Sequence, residues 1–207
     1  MKFAKPRPVR QERSRETRDS LLAAANRLLQ KRMWSELAVT DIAEAAGSSI
    51  GSFYARYGDK ESFFEALCAQ FVERRSREVE AFWASLPPDA DLATEVVNSV
   101  LGFVLRERKL WHAALVRGAS EPKFWEALRD IGLKVCDHIV QHQERRIGRK
   151  LTAEERRRIR TAQLLLNGFV NNAVLVRVVP LSANDKVMRA ELIRAFRLVA
   201  GLAEPGT

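Results

Sequence analysis

Residues 40–64 read TDIAEAAGSSIGSFYARYGDKESFF, and the fold is decided there. Val39 to Ala45 has helical spacing, and Ile42, Ala43 and Ala46 face the side where a second helix would pack. Gly47 closes this segment, because glycine takes the left-handed C-terminal conformation without a Cβ clash. Ser48 and Ser49 then offer side-chain oxygens to the unpaired amides of a second helix, Ile50 to Arg56. Two short helices joined by a tight glycine turn are a helix-turn-helix. The second helix is too short to be stable alone, so it must be packed. Its outer face carries Ser48, Ser52, Tyr54 and Arg56, beside Tyr57. Hydroxyls and a guanidinium near a helix N-terminus suit phosphates and base edges.

Working outward, the N-terminal side holds Leu21, Leu22, Ala25, Leu28 and Leu29 at three- and four-residue steps, which predicts a first helix from Ser14 or Arg15. Residues 1–13, with Pro6, Pro8, Lys2, Lys5, Arg7, Arg10 and Arg13, read as a flexible basic arm. It is either solvated or laid along a minor groove. On the C-terminal side Gly58 ends the second helix of the motif, and Asp59 can cap a long helix that runs to Pro87 and Pro88. Five further helices fit Leu92–Arg106, Lys109–Arg117, Pro122–Gly148, Ala153–Val179 and Asp185–Ala203. Strand-like alternation is almost absent. The expectation is an all-α chain of about nine helices. Residues 14–60 are expected to form a helix-turn-helix domain, and residues 61–207 a larger helical domain. The helix at 59–86 links the two.

The 207 residues are 46% hydrophobic and 29% charged, with a formal net charge of +9, a balance that suits a globular chain with a polyanionic partner. Charge alone does not choose among DNA, RNA and an acidic membrane. The greasiest stretch, Leu164 to Val179, is broken by Asn167, Asn171, Asn172 and Arg177, too polar to span a bilayer. No apolar run follows the basic N-terminus, so no signal peptide is expected. Cys68 and Cys136 read as free thiols in a cytoplasmic protein.

The segment resembles the TetR family of bacterial transcriptional repressors. The matching residues are Asp41-Ile42-Ala43, Ala46-Gly47, Ser49, Gly51, Phe53-Tyr54, Tyr57, Lys60-Glu61 and Phe63-Phe64, with the Leu21–Leu28 helix upstream. The likeness covers residues 14–73; beyond it, only helix number, length and order agree. The resemblance implies that Ser49 caps the recognition helix and that Gly51 lets the DNA backbone approach. It also implies that Tyr54 and Lys60 hold phosphates of a double-stranded operator. Ile50, Ser52, Phe53 and Arg56 are placed nearest the bases, although Phe53 suits an inward site as well. Thr40, Ser48 and Tyr57 complete the implied interface. Three positions depart from the pattern. Ala38 replaces a capping Ser or Thr, with Thr40 as partial compensation; Ser48 replaces a small apolar residue; and Arg56 stands where histidine is common.

The same resemblance implies an effector pocket in the larger domain for a small, largely apolar molecule. Its candidate walls are Phe71, Trp83, Phe103, Trp111, Phe124, Trp125 and Phe169, each of which also suits plain core packing. Two apolar stripes, the second of them wide, suggest a further packing partner; the resemblance implies a homodimer joined in a four-helix bundle, and a monomer with a thick core is the other reading. One is Leu166, Phe169, Val170, Ala173 and Val174; the other is Leu192, Ile193, Phe196, Val199 and Ala200. The cations from Arg145 to Arg160 read as a solvated helix junction. His138 and His142 share a helical face but lack a further ligand, so no metal site is assigned. No catalytic constellation or cofactor motif stands out, and no enzyme is expected. Two other readings stay open: a constitutive or corepressor-dependent regulator, and a helical carrier that has lost DNA binding, for which Ala38 is the only hint.

Overall fold

The computed structural model describes residues 8–120, 124–176 and 185–203, without the side chains of 8–14, 120, 124, 125 and 127. Among them lie nine α-helices and no strand: α1 (Pro8–Leu29), α2 (Val39–Ala45), α3 (Ile50–Tyr57), α4 (Lys60–Ser85), α5 (Leu92–Arg106), α6 (Arg108–Ser120), α7 (Phe124–Ile147), α8 (Ala153–Leu175) and α9 (Lys186–Ala200). A 3-10 turn, Trp34–Glu36, sits in the break between α1 and α2.

Helix α1 begins earlier than the apolar pattern indicated, inside the stretch expected to be a flexible arm. Pro8 is suited to a first helical turn, and Gln11, Glu12 and Arg13 favour helix, so the segment needs no apolar face to continue. The arm residues Lys2, Lys5 and Arg7 lie outside the described residues.

The chain divides into two compact units, Met1–Gln70 and Phe71–Thr207. The division falls within α4, at Gln70 rather than at Lys60 as expected. The first turns of α4 belong to unit 1 because Phe63, Phe64 and Leu67 are buried in its core with Leu21, Leu22 and Ala25 of α1 and Ile42 of α2. Trp34 covers this core, its ring 4.8 Å from Phe64. That contact explains why the polar-looking break between α1 and α2 is ordered.

In unit 2, α5 buries Leu92, Val96, Val97, Leu101 and Val104, and α8 buries Ile159, Leu166 and Val170. Arg197 of α9 pairs with Asp91 at the head of α5, and Trp111 Nε1 of α6 donates to Asn171 Oδ1 of α8 at 3.0 Å. The entry to α8 is fixed by a reciprocal cap. Thr152 Oγ1 accepts from the Glu155 N–H at 3.2 Å, and the Glu155 carboxylate accepts from the Thr152 N–H at 2.7 Å. Arg149 grips the same carboxylate, and together they hold the Glu155 pKa down at about 2. Lys150 and Arg156 both pair with Glu144, while Arg158 donates to the terminal carbonyls Leu198 and Val199 of α9. Much of the basic cluster is therefore spent on the junction itself.

Candidate nucleic-acid interface

The helix-turn-helix is assembled from local rules. At the head of α2, Ala38 has no side-chain oxygen to offer, so the usual cap is missing. Instead, the Asp41 carboxylate accepts from the Ala38 N–H at 2.8 Å and pairs with Arg32 at 3.0 Å. These partners hold the Asp41 carboxyl below its ordinary range, with the Ala38 bond the largest stabilising cause. Asp41, not Thr40, thus supplies the one half of a reciprocal cap that remains. Thr40 stays exposed.

The turn follows from one glycine. Gly47 has φ 62°, which allows its N–H to reach Glu44 O at 3.0 Å and the Ser48 N–H to reach Ala43 O at 2.9 Å. These two bonds close the end of α2. Arg27 of α1 adds a cation there, donating to Ala45 O at 2.8 Å. Helix α3 is then capped as expected: Ser49 Oγ accepts from the Ser52 N–H at 3.1 Å, and the two hydroxyls lie 2.8 Å apart.

The two faces of α3 differ in kind. Phe53 is 0% exposed, with ring centroids 5.0 Å from Phe63 and 5.5 Å from Tyr57. It anchors α3 to the core, and its assignment to the DNA surface is corrected on that ground. The opposite face presents Ile50 at 45% exposure and Tyr54 at 49%, with Ser49, Gly51 and Ser52 exposed between them. Ser48, Arg56, Tyr57 and Lys60 are half-buried at its edges. The Tyr57 hydroxyl is enclosed without a hydrogen-bond partner among the described residues, and burial pushes its pKa up. Lys60 donates to Trp34 O at 3.1 Å and lies 4.6 Å from the Trp34 ring centroid. An ammonium has three N–H donors, so others remain for a phosphate. Sequence reasoning did not assign Trp34, Arg32 or Arg27 to this assembly; an aromatic in an otherwise polar break was the available signal.

Gly51 has no role in the packing of its own chain. A Cβ there would meet only Ser49 Oγ, at 3.9 Å. A helical glycine costs ~0.5–1 kcal/mol relative to alanine, and nothing inside unit 1 compensates for it.

Unit 2 contains a cavity of about 440 Å³ walled by α5, α6, α7 and α8 and by Arg75. Phe103 and Trp111 line it, and Phe71 packs behind them with centroids 5.5 and 6.0 Å away. Trp83 and Phe169 are not in its wall. Trp83 stacks instead on His138 at 5.4 Å, the imidazole lying 3.3 Å from Glu80. His142 is buried, its Nε2 2.9 Å from Pro87 O. Phe124 and Trp125 open α7, and their side chains lie outside the described residues. Among the described residues no group of three His, Cys, Asp or Glu side chains can hold a metal ion, and no helix is long and apolar enough to cross a membrane.

The residues of the proposed dimer stripes differ in burial. Leu166, Val170, Ala173, Val174, Phe196 and Ala200 are buried within the single chain, and Phe169, Leu192, Ile193 and Val199 are half-buried. Apolar periodicity marks a buried face, and here the face packs on the chain's own core. The exposed apolar groups sit beside those stripes: Leu164, Leu165 and Leu175 on α8, Val187 and Leu198 on α9. A groove of about 170 Å³ between α8 and α9 is lined by Leu165, Leu192, Ala195 and Val199 among others.

Residues 21–67 match the family described as bacterial regulatory proteins, tetR family. The chain is 26% identical over 113 residues to the HTH-type transcriptional regulator EthR of Mycolicibacterium smegmatis, a match covering 53% of this chain and 52% of EthR. It thus spans about half the length of that curated relative. Among solved structures the fold is similar to a tetR-family transcriptional regulator from Streptomyces coelicolor, with TM-score 0.64, 19% identity, and 88% of this chain and 81% of that one covered. It is also similar to GusR of Salmonella enterica, with TM-score 0.62, 17% identity, and 97% and 100% covered.

Proposed function

We propose that this chain, a TetR-family transcriptional regulator by its N-terminal domain, is a repressor that binds a pseudo-palindromic operator as a homodimer and is released by a small effector. The observation that carries the reading is the outer face of α3. Ile50, Gly51, Ser52 and Tyr54 are exposed together while Phe53 fixes the helix from behind. A single short helix offers few contacts, so two copies reading successive major grooves, about 34–36 Å apart, are needed for tight binding. The exposed leucines of α8 and α9 supply the surface for pairing. The cavity in unit 2 supports the effector, being mostly apolar and within the usual size of ligand pockets. Helix α4 starts at Lys60 in unit 1 and carries Arg75 to the cavity wall in unit 2. One stiff element in both units is a route for a coupling free energy, typically ~1–3 kcal/mol. Operator DNA would place its site of action in the cytoplasm.

Selection from a random duplex library tests the reading. The expected product is a two-fold related pair of half-sites. Tyr54→Phe weakens binding to every duplex by a similar factor, because phosphates carry no base identity. Ile50→Ala instead changes the selected sequence. Failure to enrich any sequence removes the reading.

A further inference from the structure

Helix α8 gives the cavity of unit 2 its polar side. Arg160, Gln163, Asn167 and Asn171 recur at three- and four-residue steps, forming one stripe along the wall. The facing walls are largely apolar, with Phe103 of α5, Trp111 of α6 and Val135 of α7 beside the cations Arg75 and Arg129.

Two groups on this stripe are unspent. Gln163 is only 5% exposed; its Nε2 donates to Asn167 Oδ1 at 3.1 Å, while its Oε1 accepts from nothing among the described residues. A buried carbonyl left in that state is destabilising, and a hydroxyl or N–H from a bound molecule would relieve it. Arg160 is exposed and makes no ion pair among the described residues. The other two cations on the wall already face acids, Arg75 with Glu78 at 3.5 Å and Arg129 with Asp130 at 3.9 Å. Among the described residues no aspartate or glutamate lines the cavity. Among the described residues the site therefore has one unpaired positive charge and one free acceptor, on side chains one helical turn apart.

Building on the effector reading above, we propose that this cavity takes a hydroxylated organic acid with an apolar, aromatic body. The hydroxyl donates to Gln163 Oε1, the carboxylate pairs with the Arg160 guanidinium, and the ring lies against Phe103 and Trp111. A single unpaired arginine suits one negative charge, which a carboxylate supplies in a geometry that a guanidinium matches. A neutral phenol leaves Arg160 unused, and an unhydroxylated acid leaves Gln163 unused.

Calorimetry on the full DNA-free chain tests this with 4-hydroxy-2-naphthoate, 2-naphthoate and 1-naphthol. The hydroxy acid is expected to bind tightest, each of the others about tenfold weaker. Gln163→Leu should abolish the advantage over 2-naphthoate without loosening 2-naphthoate itself. Arg160→Gln should abolish the advantage over 1-naphthol; its side chain is exposed, so this variant folds even if Gln163→Leu does not. Equal binding of 1-naphthol and the hydroxy acid, an unchanged preference in Arg160→Gln, or no binding of any probe overturns the proposal. Release of a selected duplex is measured separately. Binding with the expected preferences but without release supports the cavity's chemistry and removes its role as the effector site.

Discussion

The outer face of α3 and the α8–α9 surface both expose apolar side chains, yet the surroundings of those side chains differ. On α3, the exposed Gly51 and Ser52 lie between Ile50 and Tyr54, and the helix starts with a serine cap. Its apolar groups are isolated among hydrogen-bonding ones, as a surface needs when it must meet phosphates and base edges together. On α8 and α9 the exposed groups are leucines and valines, with Leu165 at 58% exposure beside a groove that also contains Ala195 and Val199. Such a surface offers few hydrogen bonds and fits another apolar surface. The polar context of the exposed hydrophobes, more than their number, distinguishes the two faces.

The comparison is most easily broken from behind. Phe53→Ala removes a fully buried ring from the contact between α3 and α4 and should cost unit 1 ~3–5 kcal/mol. Hydrogen exchange of the α2 and α3 amides should rise steeply, while amides of α5 and α8 stay protected. Uniform loss of protection would show that the recognition face has no separate support. The next largest effect concerns the apolar surface. Leu165→Asp combined with Ala195→Asp places exposed charges in the α8–α9 groove. Folding should persist, and sedimentation should show dimerisation weakened by roughly 100-fold or more. Phe196→Asp, by contrast, should unfold unit 2, because Phe196 is buried in the core of its own chain.

The helix-turn-helix was legible in sequence because its signals are local. Gly47, Ser49 and the small alanines each state a backbone requirement within a few residues. Longer-range facts were not. Phe53 and Tyr54 are adjacent aromatics on a short helix, and only the arrival of Phe63 from α4 decides which one turns inward. The stripes on α8 and α9 announced burial correctly but not against what, so residues packing within one chain were taken for an interface. The cavity was missed in part for a related reason. Aromatic residues suggested its walls, whereas its distinguishing groups are polar ones on α8, at positions that read as interruptions of an apolar run. The start of α1 went unrecognised because Pro8 to Arg13 has helical propensity without a helical hydrophobic pattern.

A smaller effect sharpens the comparison at the two helix starts. Thr152 and Glu155 form both halves of a cap on α8, whereas α2 has only the Asp41 half because Ala38 lacks an oxygen. Ala38→Thr should add the missing half and stabilise unit 1 by ~1 kcal/mol in denaturant unfolding. No gain would mean that Arg32 and Asp41 already satisfy the helix start.

The central claim is that the outer face of α3 touches DNA, and Gly51 tests it most directly. The chain itself leaves room for a methyl group there, so Gly51→Ala should keep or slightly raise the stability of unit 1. If the glycine exists for a partner, the same methyl holds the DNA backbone away. Affinity for the selected duplex, measured at fixed salt by fluorescence anisotropy, should then fall by about tenfold or more, a loss of ~1.4 kcal/mol or greater. A Gly51→Ala protein that is folded and binds the duplex as tightly as the parent would contradict the claim.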